Sequence, residues 1–345
     1  MARARTNAAF RVERTTRASR IGGVIALLGL ALLATGPWWL GAANMRTVVE
    51  IGYYLALAQM WNLLAGYAGL VSVGQQAFVG FGGYALFVFV IQAQMPALAA
   101  LPLAAVATAI VALPTAFVVF RLRGAYFAIG TWVVAEVYRL GFAQVSALGG
   151  GSGQSLPVAA VKAIAETKDG REMIIYWIGL GIAVGSVALV YLMLRARQGL
   201  ALTAIRDSEP AAESLGVNNF RTKLIVYLVA ATATGLIGAL ISLQKLRISP
   251  DAAFSVTDWT ANVIFIVVIG GIGTIEGPII GVIVFFVLRE LLAGFGSWYL
   301  MSLGAIAVAV MLRSPRGLWG LIADRYGIDF FPVRRRVMLS EKPPP

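Results

Sequence analysis

The run ALAALPLAAVATAIVALPTAFVVF at residues 97–120 contains no charged side chain. A transmembrane helix needs about 20 consecutive, mostly apolar residues, so this run is long enough to cross a bilayer. Several other runs approach that length. Of the 345 residues, 59% are hydrophobic and 13% are charged, and the mean hydropathy is +0.82. A soluble domain of this size exposes far more polar surface. The sequence therefore predicts an all-α polytopic membrane protein.

Hydropathy predicts about ten transmembrane helices, or roughly eight or nine if the short C-terminal segments do not all cross. A basic tail at 1–20 precedes the membrane domain at 21–312, and a second tail follows at 313–345. The first span ends in Pro37-Trp38-Trp39-Leu40, which is typical of an interfacial aromatic belt, so we expect it to be retained rather than cleaved. The predicted spans lie near residues 21–41, 47–65, 68–91, 97–120, 124–143, 173–194, 224–244, 259–270, 278–293 and 297–312.

Lysine and arginine residues near the span ends predict the orientation of the chain. With an even number of spans, the basic clusters all fall on the cytoplasmic side. The loop at 144–172 then lies outside and carries mixed charge. Lys245 and Arg247 also fall outside, against this bias. The cytoplasmic clusters are the N-terminal tail, Arg121 with Arg123, the loop at 196–223, and the C-terminal tail from Arg313.

Composition excludes several kinds of chemistry. The sequence contains no cysteine and no histidine, which removes thiol chemistry, disulfides and histidine metal sites. The net charge of +12 is explained by loops that face an anionic membrane leaflet, so we expect no nucleic-acid partner. The loop GGGSGQS at 149–155 lacks the spacing and the lysine of a phosphate-binding loop. We expect no catalytic residue, metal or cofactor in this chain.

The polar segment TAIRDSEPAAESLGVNNFRTK at residues 203–223 predicts a short cytoplasmic helix. Asp207 or Ser208 is a suitable N-cap, Pro210 fits the first turn, and Gly216 suits a left-handed C-terminal residue. A helix this short is not stable alone in water, so we expect it to dock against something. A docking helix on the face of a membrane protein suggests that it receives force or a signal from a soluble partner.

Two glycine-rich segments interrupt the apolar pattern, one in each half of the chain. They contain the polar residues Gln75 and Gln76 in the first and Glu276 in the second. Paired interruptions of this kind indicate internal duplication around a transport path. Close packing of helices through small residues is the alternative. The segments are GYAGLVSVGQQAFVGFGG at 66–83 and GGIGTIEGPIIG at 270–281.

Few other polar residues lie within the predicted spans. Gln59 and Asn62 are one turn apart on the second span. Glu136 and Arg139 share one face of the fifth span, where mutual neutralisation is the simpler interpretation and a proton relay is the alternative. Glu50 lies near the outer end of the second span. Arg289 and Glu290 are predicted as an interfacial pair.

Several blocks along the chain resemble, in order, the permease subunits of branched-chain amino acid ABC transporters, and most closely the second of their two paired permeases. The resemblance covers nearly the whole chain after the N-terminal tail. The blocks are NLLAGYAGLVSVGQQAFVGFGGY (62–84), RLRGAYFAIGT (121–131), GGGSG (149–153), GLALTAIRDSEPAAESLGVNNFRTKL (199–224), VVIGGIGTIEGPIIG (267–281) and LRSPRGL (312–318).

The resemblance implies a bacterial inner-membrane permease that takes up amino acids with three kinds of partner. These are a second homologous permease, two cytoplasmic ATP-binding subunits and a periplasmic substrate-binding protein. The implied contacts with the ATP-binding subunits are Arg206, Asp207, Glu209, Ala211, Ala212, Glu213 and Gly216. The candidate residues of the translocation path are Gln59, Asn62, Gly74, Gln75, Gln76, Gly80, Gly271, Gly273 and Glu276.

Other functions remain open from the sequence. Family members often have a histidine where Gln75 or Gln76 stands, so a related importer of urea or short amides is an alternative. An ion-coupled secondary transporter would instead use a membrane carboxylate such as Glu136 or Glu50. A membrane enzyme is less favoured, because the sequence shows no acidic cluster that suggests a catalytic cleft.

Overall fold

The computed structural model of the chain is almost entirely helical and describes residues 10–13, 17–296, 298–314, 316–326, 330–332 and 336–339. The α-helices are α1 (Arg17–Ala34), α2 (Ala42–Asn62), α3 (Gln75–Ile91), α4 (Ala97–Val119), α5 (Ala125–Gln144), α6 (Val158–Lys162), α7 (Lys168–Arg195), α8 (Arg197–Asp207), α9 (Glu209–Ser214), α10 (Asn219–Lys245), α11 (Pro250–Ala253), α12 (Asn262–Gly270), α13 (Glu276–Leu292), α14 (Trp298–Arg313) and α15 (Gly317–Tyr326).

Four short strands form two separate antiparallel pairs, β1 with β4 and β2 with β3. Each pair is small beside the helices, so the expected all-helical membrane fold is retained. The strands are β1 (Phe10–Glu13), β2 (Gln154–Ser155), β3 (Arg247–Ile248) and β4 (Arg336–Leu339).

A helix occupies the position of every predicted span. Within the described residues, five helical segments are long and apolar enough to cross a membrane, and two more are apolar but shorter. The predicted span at 68–91 begins only at Gln75, because residues 68–74 are not helical. The count of about ten spans stays a prediction. The five segments are Ala97–Val119, Lys168–Arg195, Asn219–Lys245, Pro250–Gly270 and Met301–Ala323, and the shorter two are Gly22–Trp38 and Gln75–Ile91.

Helix α10 packs against both α3 and α4, which also contact each other, while α2 packs on α7. The approach of α3 to α10 is close enough that a Cβ atom on Gly82 would overlap the carbonyl oxygen of Gly235. Small residues allow this approach without an apolar side chain between the helices. Close packing, the alternative explanation for the first glycine-rich segment, therefore accounts for its C-terminal glycines.

The two ends of the bundle carry different structures. Helix α7 begins after the loop that contains β2 and ends where α8 starts, and α10 runs from α9 back to β3. The short helices α8 and α9 therefore share one end, which we call the α9 end. Strands β2 and β3 pair at the opposite end, which we call the β2–β3 end.

The two terminal segments meet, because β1 pairs antiparallel with β4, with Phe10 opposite Leu339. Residues 330–332, between α15 and β4, contact the bundle through Phe330 and Phe331. Parts of the predicted basic tails, residues 1–9, 14–16, 315, 327–329, 333–335 and 340–345, lie outside the described residues.

Candidate functional site

The two glycine-rich interruptions meet inside the bundle. The first glycine break, residues 63–74, is a π-helical turn at Leu63–Tyr67 followed by irregular chain up to α3. The second glycine break, residues 271–275, separates α12 from α13, and Gly271 and Gly273 have positive φ values of 134° and 76°. A Cβ atom on Gly66 would lie 2.6 Å from the backbone nitrogen of Gly273. Only glycine allows the two breaks to touch here.

Polar side chains of α2 bind the backbone that the second break leaves without helical hydrogen bonds. Asn62 donates to the Thr274 carbonyl at 2.7 Å and accepts from the Gly273 N–H at 2.8 Å. Gln59 donates to the Ile275 carbonyl at 2.8 Å. Both side chains are fully buried. The polar pair predicted on the second span therefore holds the second break in place.

The path candidates Gln75 and Gln76 lie on the first turn of α3 and are buried between helices. Gln75 donates to the Leu57 carbonyl at 3.0 Å and contacts Thr234 of α10 at 3.4 Å. Gln76 accepts a hydrogen bond from Thr260, which precedes α12. Gln59 Oε1, Gln75 Oε1 and Gln76 Nε2 have no hydrogen-bond partner among the described residues. Three buried amides thus each retain a free polar atom.

The structure divides the predicted path residues into separate surroundings. Gly74 and Gly80 allow close packing, since a Cβ atom would overlap the Thr131 carbonyl oxygen and the Phe254 ring respectively. Gly271 lies against the backbone of Arg316, where its Cβ atom would be 2.7 Å from the carbonyl oxygen. These three glycines explain packing and do not point to a common cavity.

Glu276 lies at the first turn of α13 and binds the C-terminal segment. Its carboxylate accepts the backbone N–H groups of Phe330 at 3.1 Å and Phe331 at 2.8 Å. The glutamate is buried. In this chain its carboxylate therefore holds residues 330–331 against the second glycine break.

Arg206 connects the loop at the α9 end to the glycine breaks. The side chain extends from the last turn of α8, and Nη1 donates to the Gly66 carbonyl at 3.3 Å. The same guanidinium lies 3.6 Å from the carboxylate of Asp207. Arg206 was predicted as a contact of a soluble partner. Its guanidinium binds the first break within the chain itself.

Helix α9 forms as its sequence predicts. Ser208 is the N-cap and accepts the Ala211 N–H at 3.4 Å, and Pro210 lies in the first turn. At the other end, Gly216 has a φ of 83°, and the N–H groups of Gly216 and Val217 bind the carbonyls of Glu213 and Ala212 at 2.9 and 3.0 Å. This is a complete Schellman motif.

Both glutamates of α9 bind residues of α10. Glu209 forms a 2.5 Å salt bridge with Lys223, and Glu213 accepts from Asn219 at 3.0 Å. Ala212 is buried at the base of the helix with 1% of its surface exposed. These contacts hold α9 on the bundle.

A large apolar residue is exposed at the C-terminal end of α9, beside the polar side chains of the helix. Leu215, the residue before the C-terminal glycine, has 79% of its surface exposed, and Ala211 is also exposed. Sequence reasoning missed Leu215. A large apolar residue beside Gly216 at the end of an otherwise polar helix was the available signal.

Three of the charged residues within the predicted spans, Glu50, Glu136 and Arg139, and a fourth, Arg289, form ion pairs in the structure. Arg139 binds Glu136 through three hydrogen bonds of 2.6–3.0 Å and also reaches Asp251 at 2.6 Å. Arg289 binds Glu50 with two contacts of 2.7 and 3.1 Å, so its predicted pairing with Glu290 is wrong. Adjacent positions on a helix point in different directions, whereas α2 packs directly on α13.

Comparisons with known proteins show the family of the chain. Residues 44–313 match the family model described as branched-chain amino acid transport system / permease component. The high-affinity branched-chain amino acid transport system permease protein LivM of Salmonella typhimurium is 27% identical over 316 residues, which cover 84% of this chain and 73% of the relative. LivM of Escherichia coli K12 is 27% identical over 317 residues, covering 86% and 74%. No solved structure matches this chain significantly. The chain belongs to the branched-chain amino acid transport permease family.

Proposed function

We propose that this chain is a permease subunit of an ABC importer for branched-chain or related amino acids in the bacterial inner membrane. It contributes part of the translocation path, pairs with a second homologous permease, and is driven by two cytoplasmic ATP-binding subunits. A periplasmic binding protein supplies the substrate. The substrate class follows the names of the two relatives.

The observation that carries the proposal is the architecture of α9. A capped helix held on α10 presents the exposed Leu215 to solvent, and the preceding helix reaches the glycine breaks through Arg206. An apolar side chain on a short docking helix suits a groove on a soluble subunit. The predicted contacts Glu209 and Glu213 then support α9, while Ala211 and Leu215 form its docking face.

The link through Arg206 suggests how movement reaches the membrane. ATP binding brings the two ATP-binding subunits together and moves α9 with the attached α8. The guanidinium of Arg206 transfers this displacement to Gly66, at the contact with Gly273. Because the breaks lack regular helical hydrogen bonds, the segments on either side can reorient there. Differential binding of ATP to the closed state supplies the bias.

The buried amides are the proposed polar contacts near the path. Gln59, Gln75 and Gln76 each have one free polar atom, and Asn62 lies at the junction of the breaks. Uncharged amides bind water or a small polar solute weakly, which suits a site that must release its cargo. Urea or a short amide could bind the same buried amides, so uptake assays with amino acids, urea and short amides distinguish these substrates.

The orientation follows from the basic clusters and from the tails. We place the α9 end in the cytoplasm with both termini, the loop at 196–223 being the coupling loop and that at 144–172 periplasmic. The pairing of β1 with β4 supports termini on one side, which requires an even number of spans.

An ion-coupled secondary transporter is the alternative from a different class. Such a transporter needs a membrane carboxylate that can bind an ion and release it. Glu136 and Glu50 are instead each bound by an arginine, Arg139 and Arg289. Glu136→Gln is expected to leave ATP-driven uptake measurable. Complete loss of uptake, with the complex intact, would favour ion coupling.

The test is affinity purification of the tagged chain from gently solubilised native membranes. The wild type is expected to recover an ATP-binding subunit and a second permease. Leu215→Arg should lose the ATP-binding subunit and keep the permease. Leu200→Arg is the matched control, because Leu200 is a comparably exposed leucine on neighbouring α8, with 62% of its surface exposed. A wild-type chain that transports but is recovered alone would contradict the proposal.

A further inference from the structure

A cavity of about 480 Å³ lies at the β2–β3 end, opposite to α9. Its walls come from β2 and α6, from the start of α7, and from the turn after α10. Leu156, Val161 and Leu246 give it aliphatic walls. The charged groups that line it are Lys162, Lys168, Arg171, Lys245, Arg247 and Glu166.

Four of these five cations, all except Arg171, have no salt bridge to another described residue. Arg171 lies 3.8 Å from Glu172, and Arg247 donates to the Ser152 carbonyl at 3.4 Å. Lys245 lies over the ring of Trp259 at 4.9 Å. Lys162 and Lys168 are exposed, and their ammonium groups have no such ion pair in the described chain. The cavity therefore has a net positive charge.

The turn that carries Lys245 and Arg247 is held in one conformation by its neighbours. Leu246 ends α10 with a φ of 57°, a left-handed conformation that costs free energy in a leucine. The turn holds Lys245 and Arg247 at the rim. It is braced where the Leu156 N–H binds the Leu246 carbonyl at 3.0 Å. Gly153 completes the brace, because any Cβ there would overlap the Ile248 carbonyl oxygen.

The distance of the cavity from the membrane centre decides whether its ligand is a lipid headgroup or a soluble protein. Trp177 of α7 contacts Trp38 with ring centroids 6.3 Å apart, and both rings are partly or largely exposed. Exposed tryptophans of this kind lie at the level of the lipid headgroups. Lys168 is nine positions earlier on α7, which places it about 13 Å further from the membrane centre. A headgroup layer is only about 5–7 Å thick, so the cavity lies beyond it.

We infer that this cavity is a socket for acidic side chains of a soluble protein that docks from outside the cell membrane. The outer position rests on the orientation in the proposed function. Lysine and arginine clusters oppose the usual charge bias on that face, and they require a role other than orientation. Carboxylates entering from the aqueous side match the unpaired lysines, and aliphatic walls accept the neighbouring methylene groups.

The test uses the full chain in phosphatidylcholine nanodiscs and a fluorescent hexaglutamate peptide as the probe. The wild type is expected to bind the peptide, and raising the salt from about 0.1 M to about 1 M should weaken binding. Lys162→Glu with Lys168→Glu should lower the affinity about tenfold, and Glu166→Lys should raise it about threefold. Asp169→Lys is the matched control outside the cavity and should change the affinity less than about twofold.

Three results would overturn the inference. Equal peptide affinity in all variants would show that the cavity is not the site. Displacement of the peptide by an equal concentration of inorganic phosphate would indicate a small-anion site. Displacement of the peptide in phosphatidylcholine nanodiscs by an equal concentration of a soluble short-chain phosphatidylglycerol would indicate a lipid headgroup site. If the double variant does not insert, Lys162→Gln and Glu166→Lys must shift the affinity in opposite directions.

This outcome is independent of the test on α9. Leu215→Arg should leave peptide binding unchanged, and the double lysine variant should leave recovery of the ATP-binding subunit unchanged. Failure of the socket therefore does not imply failure of the permease assignment, and the reverse also holds.

Discussion

The α9 end and the β2–β3 end both expose charged loops, but their charges have different partners. On α9, Glu209 and Glu213 bind Lys223 and Asn219, and a leucine beside them, Leu215, is exposed. At the opposite end, Lys162 and Lys168 have no salt bridge within the described chain. The carboxylates of α9 thus attach the helix to α10, whereas the ammonium groups around the cavity are available to bind an external partner.

The difference shows why a charged loop in a sequence does not identify a docking surface. An exposed ion pair contributes little to stability, but it presents two opposite charges that largely cancel for an external partner. The large apolar side chain exposed at α9 is Leu215, and its contacts are expected to depend little on ionic strength. The surface at the cavity is electrostatic and long-ranged.

Ionic strength is expected to separate the two surfaces most strongly. Between about 0.1 M and about 1 M salt the Debye length falls from about 10 Å to about 3 Å. Hexaglutamate binding at the cavity should fall more than about tenfold, because it depends on unpaired lysines. Recovery of the ATP-binding subunit should change less than about twofold. If peptide binding and subunit recovery were equally sensitive to salt, the two surfaces would not differ in the way described.

Arg206→Ala tests whether a charge at the α9 end acts within the chain. We expect uptake to fall about tenfold while the ATP-binding subunit is still recovered, because the link to Gly66 is lost and the docking face is kept. Arg197→Ala, at the start of α8, is the control. The measurement is uptake together with subunit recovery, and loss of the subunit would place Arg206 in the interface instead.

Substitution by alanine is expected to destabilise the protein by different amounts at two glycines with positive φ, Gly216 and Gly153. Gly216→Ala leaves open space around the new Cβ, so about 1–2 kcal/mol of conformational strain is the whole penalty. Gly153→Ala adds an overlap with the Ile248 carbonyl and should cost more. Thermal unfolding of the purified chain measures both. Gly216→Ala as the more damaging variant would contradict the close approach of β2 and β3.

The smallest effect is expected at the α9 salt bridge. A double-mutant cycle of Glu209→Gln and Lys223→Met should give a coupling of about 0.2–1 kcal/mol, since the glutamate is half exposed. Recovery of the ATP-binding subunit should persist in each variant. Loss of that subunit in Glu209→Gln alone would show that the Glu209 carboxylate contacts the ATP-binding subunit.

Local sequence predicted α9 well, because its determinants lie within ten residues. Ser208, Pro210 and Gly216 specify its ends whatever surrounds them. The glycine breaks were predicted for the same reason, from the composition of each segment.

Long-range partners were not predictable from one sequence. Asn62 and Gly273 are separated by 211 positions, and Glu50 and Arg289 by 239. Hydropathy places each of them on a span but does not specify the neighbouring helix. For this reason Arg289 was paired with the adjacent Glu290, and the support of the second glycine break by α2 was missed.

The most direct test of the account is site-specific crosslinking from Leu215. The sequence contains no cysteine, so Leu215→Cys introduces a single thiol into an otherwise unmodified chain. After labelling with a photoreactive maleimide in native membranes, illumination should attach the chain to an ATP-binding subunit. Leu200→Cys should give little of that adduct. An ATP-binding subunit attached through Leu200→Cys, with none through Leu215→Cys, would contradict the docking role of α9.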